Sequence, residues 1–164
     1  MATILPFASS QVALVADIDV SVKTGKILVK HVWIAQNNGV TVNLEGVTTQ
    51  MSGALIQGLS RALYEEATWN KDRVTSLDWV SYPILRFKDS PPITFSVVQR
   101  KDIPAVDSGT VAANGVLATG SGEPPTAPIA AAVANAFFDA TGIRIRQAPF
   151  TAARVRAVLK AASG

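Results

Sequence analysis

Apolar and polar positions alternate cleanly in "QVALVADIDV", residues 11–20. Val12, Leu14, Ala16, Ile18 and Val20 share one side, with Gln11, Asp17 and Asp19 on the other. A period of two predicts a half-buried strand. "KTGK" (23–26) follows, with Gly25 able to adopt a positive φ. Lys26 to Ala35 then reads as a second strand, and the pair predicts a β-hairpin.

The period changes after the turn-rich "QNNGVTVN" (36–43). Asn43 is a suitable N-cap for a helix reaching about Glu66. Val47, Met51, Leu55, Leu59 and Leu63 recur every four residues and predict its core-facing stripe. Gly46, Gln50, Gly53 and Gln57 form a second stripe, within a sector of roughly 60° at 100° per residue. Mid-helix glycine costs about 1 kcal/mol relative to alanine. Two on one stripe point either to close approach of another backbone or to a surface that admits a polar ligand beside glutamine amides.

"ATWNKDR" (67–73) reads as a turn, and "VTSLDWVSYPILRF" (74–87) as partly extended and interrupted by Pro83. "ITFSVVQ" (93–99) predicts a strand. Arg100 to Gly122 reads as a long loop with room for a short strand near 115–118; loops of that length in compact domains are usually functional or mobile. The small-residue run from about Thr126 to Thr141 predicts a closely packed buried helix closed by Gly142. "IRIRQAP" (143–149) is strand-like, and Thr151 caps a last helix with Val155, Val158 and Leu159 inward and Arg154, Arg156 and Lys160 outward. The expected fold is α+β: a β-hairpin and mixed sheet packed against a long helix, a small-residue helix and a C-terminal helix, all in one domain over residues 1–164.

Composition narrows the chemistry. The chain has 164 residues, 48% of them hydrophobic and 16% charged, which suits a folded domain. The net charge of +3 comes from scattered Lys and Arg, with no basic stripe of the kind nucleic acid selects. The absence of cysteine removes disulfides, thiolate zinc sites and iron–sulfur clusters from this chain. The single histidine, His31, reads as an ordinary strand residue. The N-terminus lacks signal-peptide features and no apolar run is long enough for a bilayer, so a soluble chain is expected, with cytoplasm and periplasm both open.

One carboxylate stands out. Glu123 in "GSGEPP" follows Gly120, Ser121 and Gly122 and precedes Pro124 and Pro125. The glycines permit positive φ and close approach of a ligand. The prolines bias the chain toward an extended form ahead of a helix N-terminus with free N–H groups. Such a stiffly mounted carboxylate suits a general base, or only complements the helix dipole.

"GSGEPPTAPIAAAVANAFFDATGIRIRQAP" resembles the C-terminal part of the molybdopterin-binding subunit of the xanthine dehydrogenase / aldehyde oxidase family, most of all the isoquinoline 1-oxidoreductase type. "NNGVTVNLEGVTTQMSGALIQGLSRALYEE" resembles the preceding segment of the same subunit, and the likeness runs from about residue 8 to 159. It implies a molybdenum-dependent oxidoreductase that hydroxylates an aldehyde or N-heterocycle with water as the oxygen source. By motif position Glu123 would be the general base. Gln50, of the Q-x-x-G helix, would hydrogen-bond the pterin, with Gly53, Gly120, Ser121 and Gly122 beside the cofactor. Gln57 and Gly46 lack motif support and read as packing. The implied cofactor is molybdopterin, as its cytosine dinucleotide, with molybdenum, shared with a partner chain or missing region. The implied partners are a larger molybdopterin-binding chain and a [2Fe–2S] subunit. Leu44 stands where the family often has proline, Ser52 where it often has an acidic residue, and the loop at about 104–118 is longer than usual. The family's earlier glycine loops and most of its substrate pocket have no counterpart, so the isolated chain is expected to be inactive. The alternative is a non-catalytic binding or assembly domain that keeps the fold.

Overall fold

A computed structural model describes residues 2–7, 10–99 and 118–162. The expected long loop at 104–118, and a strand near 115–118, lie outside the described residues except for Ala118, which forms an isolated bridge to Gly39. Strands β1 (Ala2–Phe7), β2 (Ser10–Val20), β3 (Ile27–Asn37) and β4 (Ile93–Val97) form a four-stranded sheet in that order. β1–β2 and β2–β3 are antiparallel, and β3–β4 is parallel. Helices α1 (Leu44–Leu63), α2 (Glu123–Thr126), α3 (Ile129–Thr141) and α4 (Ala152–Ala162) complete the α+β fold.

The hairpin follows the alternation with one interruption. Gly25 takes φ +74°, and Ser21 and Lys26 close the turn through a 2.9 Å backbone hydrogen bond. Asp17 pairs with His31 and Ile18 with Val29, so Lys30 is an extra residue, a β-bulge. The bulge changes which side chains face inward. Ile27 and Val29 are buried before it, and Val32, Ile34 and Gln36 after it. On the other face Lys30 bridges Asp17 and Asp19, each at 3.3 Å. There His31 stacks on Trp33 and shares a 2.8 Å hydrogen bond with Thr94 Oγ1.

α1 begins where the cap signal predicts: Asn43 Oδ1 accepts from Gly46 N at 2.9 Å. Met51, Leu55, Leu59 and Leu63 are buried, with Val47 packed at the margin. They share one core with Leu14 and Ile34 of the sheet and with Ile129, Val133 and Phe137 of α3. Ser60, also buried, ties the segment before β4 to α1 by accepting from Leu85 N at 2.9 Å.

Three expectations require correction. The helix expected over 126–141 divides into α2 and α3, because Pro128 lacks an N–H and stands at the N-cap of α3. Its far end behaves as expected, with Gly142 left-handed at φ 73°. Residues 143–149 form no strand. Arg144 instead lies 3.7 Å over the Phe138 ring and donates to Asn135 Oδ1 at 2.9 Å, holding the segment to α3. Finally, Arg154 does not point to solvent. It donates to Glu66 at 2.6 Å and to the Pro149 carbonyl at 3.2 Å, which fixes the cap of α4 against the end of α1.

Candidate functional site

α2 lies along the side of α1, and glycines determine how closely. A Cβ on Gly122 would come within 2.5 Å of Gln50 Nε2, so the Gln50 amide rests against a glycine backbone. Further down, Thr126 Oγ1 donates to the Ala54 carbonyl at 3.2 Å. A Cβ on Gly58 would meet Ile129 Cγ2 at 2.7 Å and the Thr126 carbonyl oxygen at 2.8 Å. The close backbone approach considered for the Gly46–Gly53 stripe is therefore made by Gly58. Gly46 serves the N-cap, and Gly53 has nothing within 4 Å of its absent Cβ.

Between the two helices and the segment preceding α2 runs an open groove of about 870 Å³. Gln50, Gly53, Gly120, Gly122 and Glu123 all line it, whereas Ser121 does not. Thr49, Gln57, Arg61 and Thr119 line it as well. Gln57, expected to serve packing, is instead exposed on the groove wall. Arg61 continues the same helical stripe, and extending that stripe by one turn reaches it. Thr119 is held there by backbone and hydroxyl hydrogen bonds to the Asn38 carbonyl, at 2.9 and 3.4 Å. No local pattern announces that contact.

Glu123 is exposed and is the first residue of α2. It is helical rather than extended, since the first turn tolerates Pro124 and Pro125. Those prolines also remove two of the N–H groups that a helix start would offer. Positive φ is found at Gly25, Gly39 and Gly142, not at Gly120 or Gly122. The service of Gly120 and Gly122 is steric: the first leaves open space at the groove and the second admits Gln50. At the far end of α1 Tyr82 donates to Glu65 at 3.0 Å. That hydrogen bond, helped by slight desolvation and the carboxylate charge and opposed by the charge of Arg61, pushes the phenol above its ordinary value.

A groove with amide side chains, glycine-lined openings and, among the described residues, one carboxylate, on an α+β fold, suits the binding of a polar planar cofactor. The chain belongs to the molybdopterin cofactor-binding domain family, which matches residues 5–91. It is 42% identical over 153 residues to the B chain of nicotinate dehydrogenase from Pseudomonas putida, covering 93% of this chain and 12% of that protein. It is 31% identical over 144 residues to the beta chain of isoquinoline 1-oxidoreductase from Brevundimonas diminuta, covering 88% and 17%. Among solved structures, aldehyde oxidoreductase from Desulfovibrio gigas superposes with a TM-score of 0.77 at 26% identity, covering 92% and 15%. The chain thus spans only 12–17% of the length of these relatives.

The groove residues fit a pterin. Gly53 and Gly120 leave open space at the groove, with nothing within 4 Å of an added Cβ. Gln50 and Gln57 carry both donors and acceptors toward the groove, matching the mixed hydrogen-bonding edge of such a ring. No helix among the described residues is long and apolar enough to cross a membrane.

Proposed function

We propose that this chain supplies one wall of the active site of a molybdenum hydroxylase, which oxidises an N-heterocycle or aldehyde with water as the oxygen source. The observation that carries the reading is the Gln50–Gly122 contact, which sets Glu123, the one groove carboxylate among the described residues, beside an amide suited to the pterin. When bound, molybdopterin, in its cytosine dinucleotide form, supplies the redox centre that accepts electrons from substrate. The chain's own residues do the rest. Gln50 hydrogen-bonds the pterin, and Gly53, Gly120 and Gly122 let it lie close to the backbone. Ser121, outside the groove lining, is given no contact. Glu123 accepts the proton released as water-derived oxygen adds to the substrate carbon. Its mount at the start of α2 keeps the carboxylate on the groove side, with the buried Pro124 and Pro125 following it in the chain.

Two of the relatives, a nicotinate dehydrogenase and an isoquinoline oxidoreductase, carry the names of N-heterocycles, which favours that substrate class. The partners are a larger molybdopterin-binding chain and a [2Fe–2S] subunit. Exposed aromatics support such completion: Trp69, Trp79 and Phe87 are 73%, 68% and 97% exposed along one segment.

The test is Glu123→Gln in the assembled enzyme. Turnover should fall by about 10²–10⁴-fold, the usual share of a general base, with molybdenum content unchanged. Retained turnover removes Glu123 from the chemistry. An assembled complex without molybdenum or pterin would favour the assembly-domain reading.

A further inference from the structure

Arg61 is the one cation among the described residues lining the groove, as Glu123 is the one carboxylate. The two carboxylates that follow it closely in the chain have other hydrogen-bond or ion-pair partners. Glu65, four residues on and its natural ion-pair partner, accepts from Tyr82. Glu66 pairs with Arg154 at 2.6 Å. Arg61 itself makes no hydrogen bond or ion pair among the described residues; its charge acts on the Tyr82 phenol, and its side chain lines the groove.

Geometry gives this guanidinium a direction. Gln50, Gln57 and Arg61 fall within a sector of roughly 40° on α1, so they form one row. Arg61 is roughly 16 Å from Gln50 along the axis, at about 1.5 Å per residue. Gly122 rests on Gln50, which puts Glu123 toward the other end of that row. The groove is therefore electrically polar. Its Glu123 end repels an anion, and its Arg61 end attracts one.

We propose that Arg61, with Gln57 one turn before it, holds an oxyanion, a carboxylate or a phosphate, of the molecule bound in the groove. This rests on the reading of the groove as a ligand site and names the group its far end selects. A planar fork of donors suits both chemistries, because either offers paired oxygens. The phosphate would come from the cofactor, and the carboxylate from the substrate.

The experiment is an amide NMR titration of the ¹⁵N-labelled full chain with inorganic phosphate and, separately, with benzoate. The proposal expects saturable shifts at the α1 amides around Gln57 and Arg61. Arg61→Gln should weaken them by about tenfold or more, and Arg61→Lys by less, because a charge remains without the fork. Arg73→Gln, an exposed cation outside the groove, should leave them unchanged. A response to phosphate alone assigns the site to the cofactor, and a response to benzoate alone assigns it to the substrate. No saturable response to either anion, or an equal response in Arg61→Gln, overturns the proposal. The readout is anion binding, so its failure leaves the Glu123→Gln test standing, and a failure of that test leaves this one.

Discussion

Gly53 and Gly58 stand just over a turn apart on α1 and impose the same intrinsic penalty on the helix. Around Gly53 there is open groove, with nothing within 4 Å of an added Cβ. Around Gly58 there is α2 and the start of α3, with a backbone oxygen at 2.8 Å. One glycine leaves room for something outside the chain, while the other makes room for the chain itself. The helix thus has a packed side and a receptive side. What separates them is the neighbour each meets, not the residue type.

That contrast can be broken by substitution. The largest effect on stability is expected on the packed side, where Leu55→Ala should cost about 2–5 kcal/mol in chemical denaturation, by lost burial and a residual cavity. A smaller loss would mean that α1 is less committed to the core than its full burial indicates. Next, Gly58→Ala should destabilise by about 1–3 kcal/mol, because the Thr126 carbonyl is backbone and cannot rotate away. Unchanged or raised stability would erase the distinction between the two glycines. Gly53→Ala should do the reverse and stabilise the chain by up to about 1 kcal/mol. In the assembled enzyme it should lower molybdenum occupancy. Unaltered occupancy would remove Gly53 from the cofactor contacts.

The smallest effect lies away from both sides. Asp78 accepts from the Ser81 hydroxyl and from the Ser81 and Val80 amides, at 2.7, 2.8 and 3.1 Å. These bonds, the hydroxyl first, hold its carboxyl below the ordinary aspartate value of 3.8. The folded value is the lower one, so the bonds stabilise the 78–81 turn above the unfolded value. That contribution is lost as pH falls through the folded value. A carboxyl-carbon NMR titration should show the depressed midpoint, and a midpoint at or above 3.8 would contradict the turn geometry.

The packed side is legible in sequence because burial imposes a period. The recurrence of Met51, Leu55, Leu59 and Leu63 predicts α1, and the alternation around Leu14 predicts β2. β1 is not foreseen, since edge pairing to residues 10–15 is decided by the partner strand. The bulge at Lys30 and the division at Pro128 are also missed, though Pro128 carries its own signal. The receptive side is half legible. The Gln50 stripe and the Glu123 loop stand out, but their contact joins segments whose paired residues, Ala54 and Thr126, lie 72 positions apart. No periodicity reports such a contact. Arg61 escapes notice as a groove residue because an exposed polar residue looks the same in sequence whether it faces solvent or a groove, and Gln57, though on the Gln50 stripe, reads as packing for want of a motif.

The bulge at Lys30 divides β3 into two reading frames. Before it, odd-numbered residues face the core; beyond it, even-numbered ones do. A substitution within either half disturbs one site. A single-residue deletion between Val32 and Ile34 would disturb the whole distal half, turning Ile34 outward and moving Gln36 and Asn38 with it. Asn38 carries the carbonyl that anchors Thr119 on the groove wall. Length, more than composition, is therefore what this strand must keep, because its residue count sets the phase in which the sheet meets the groove.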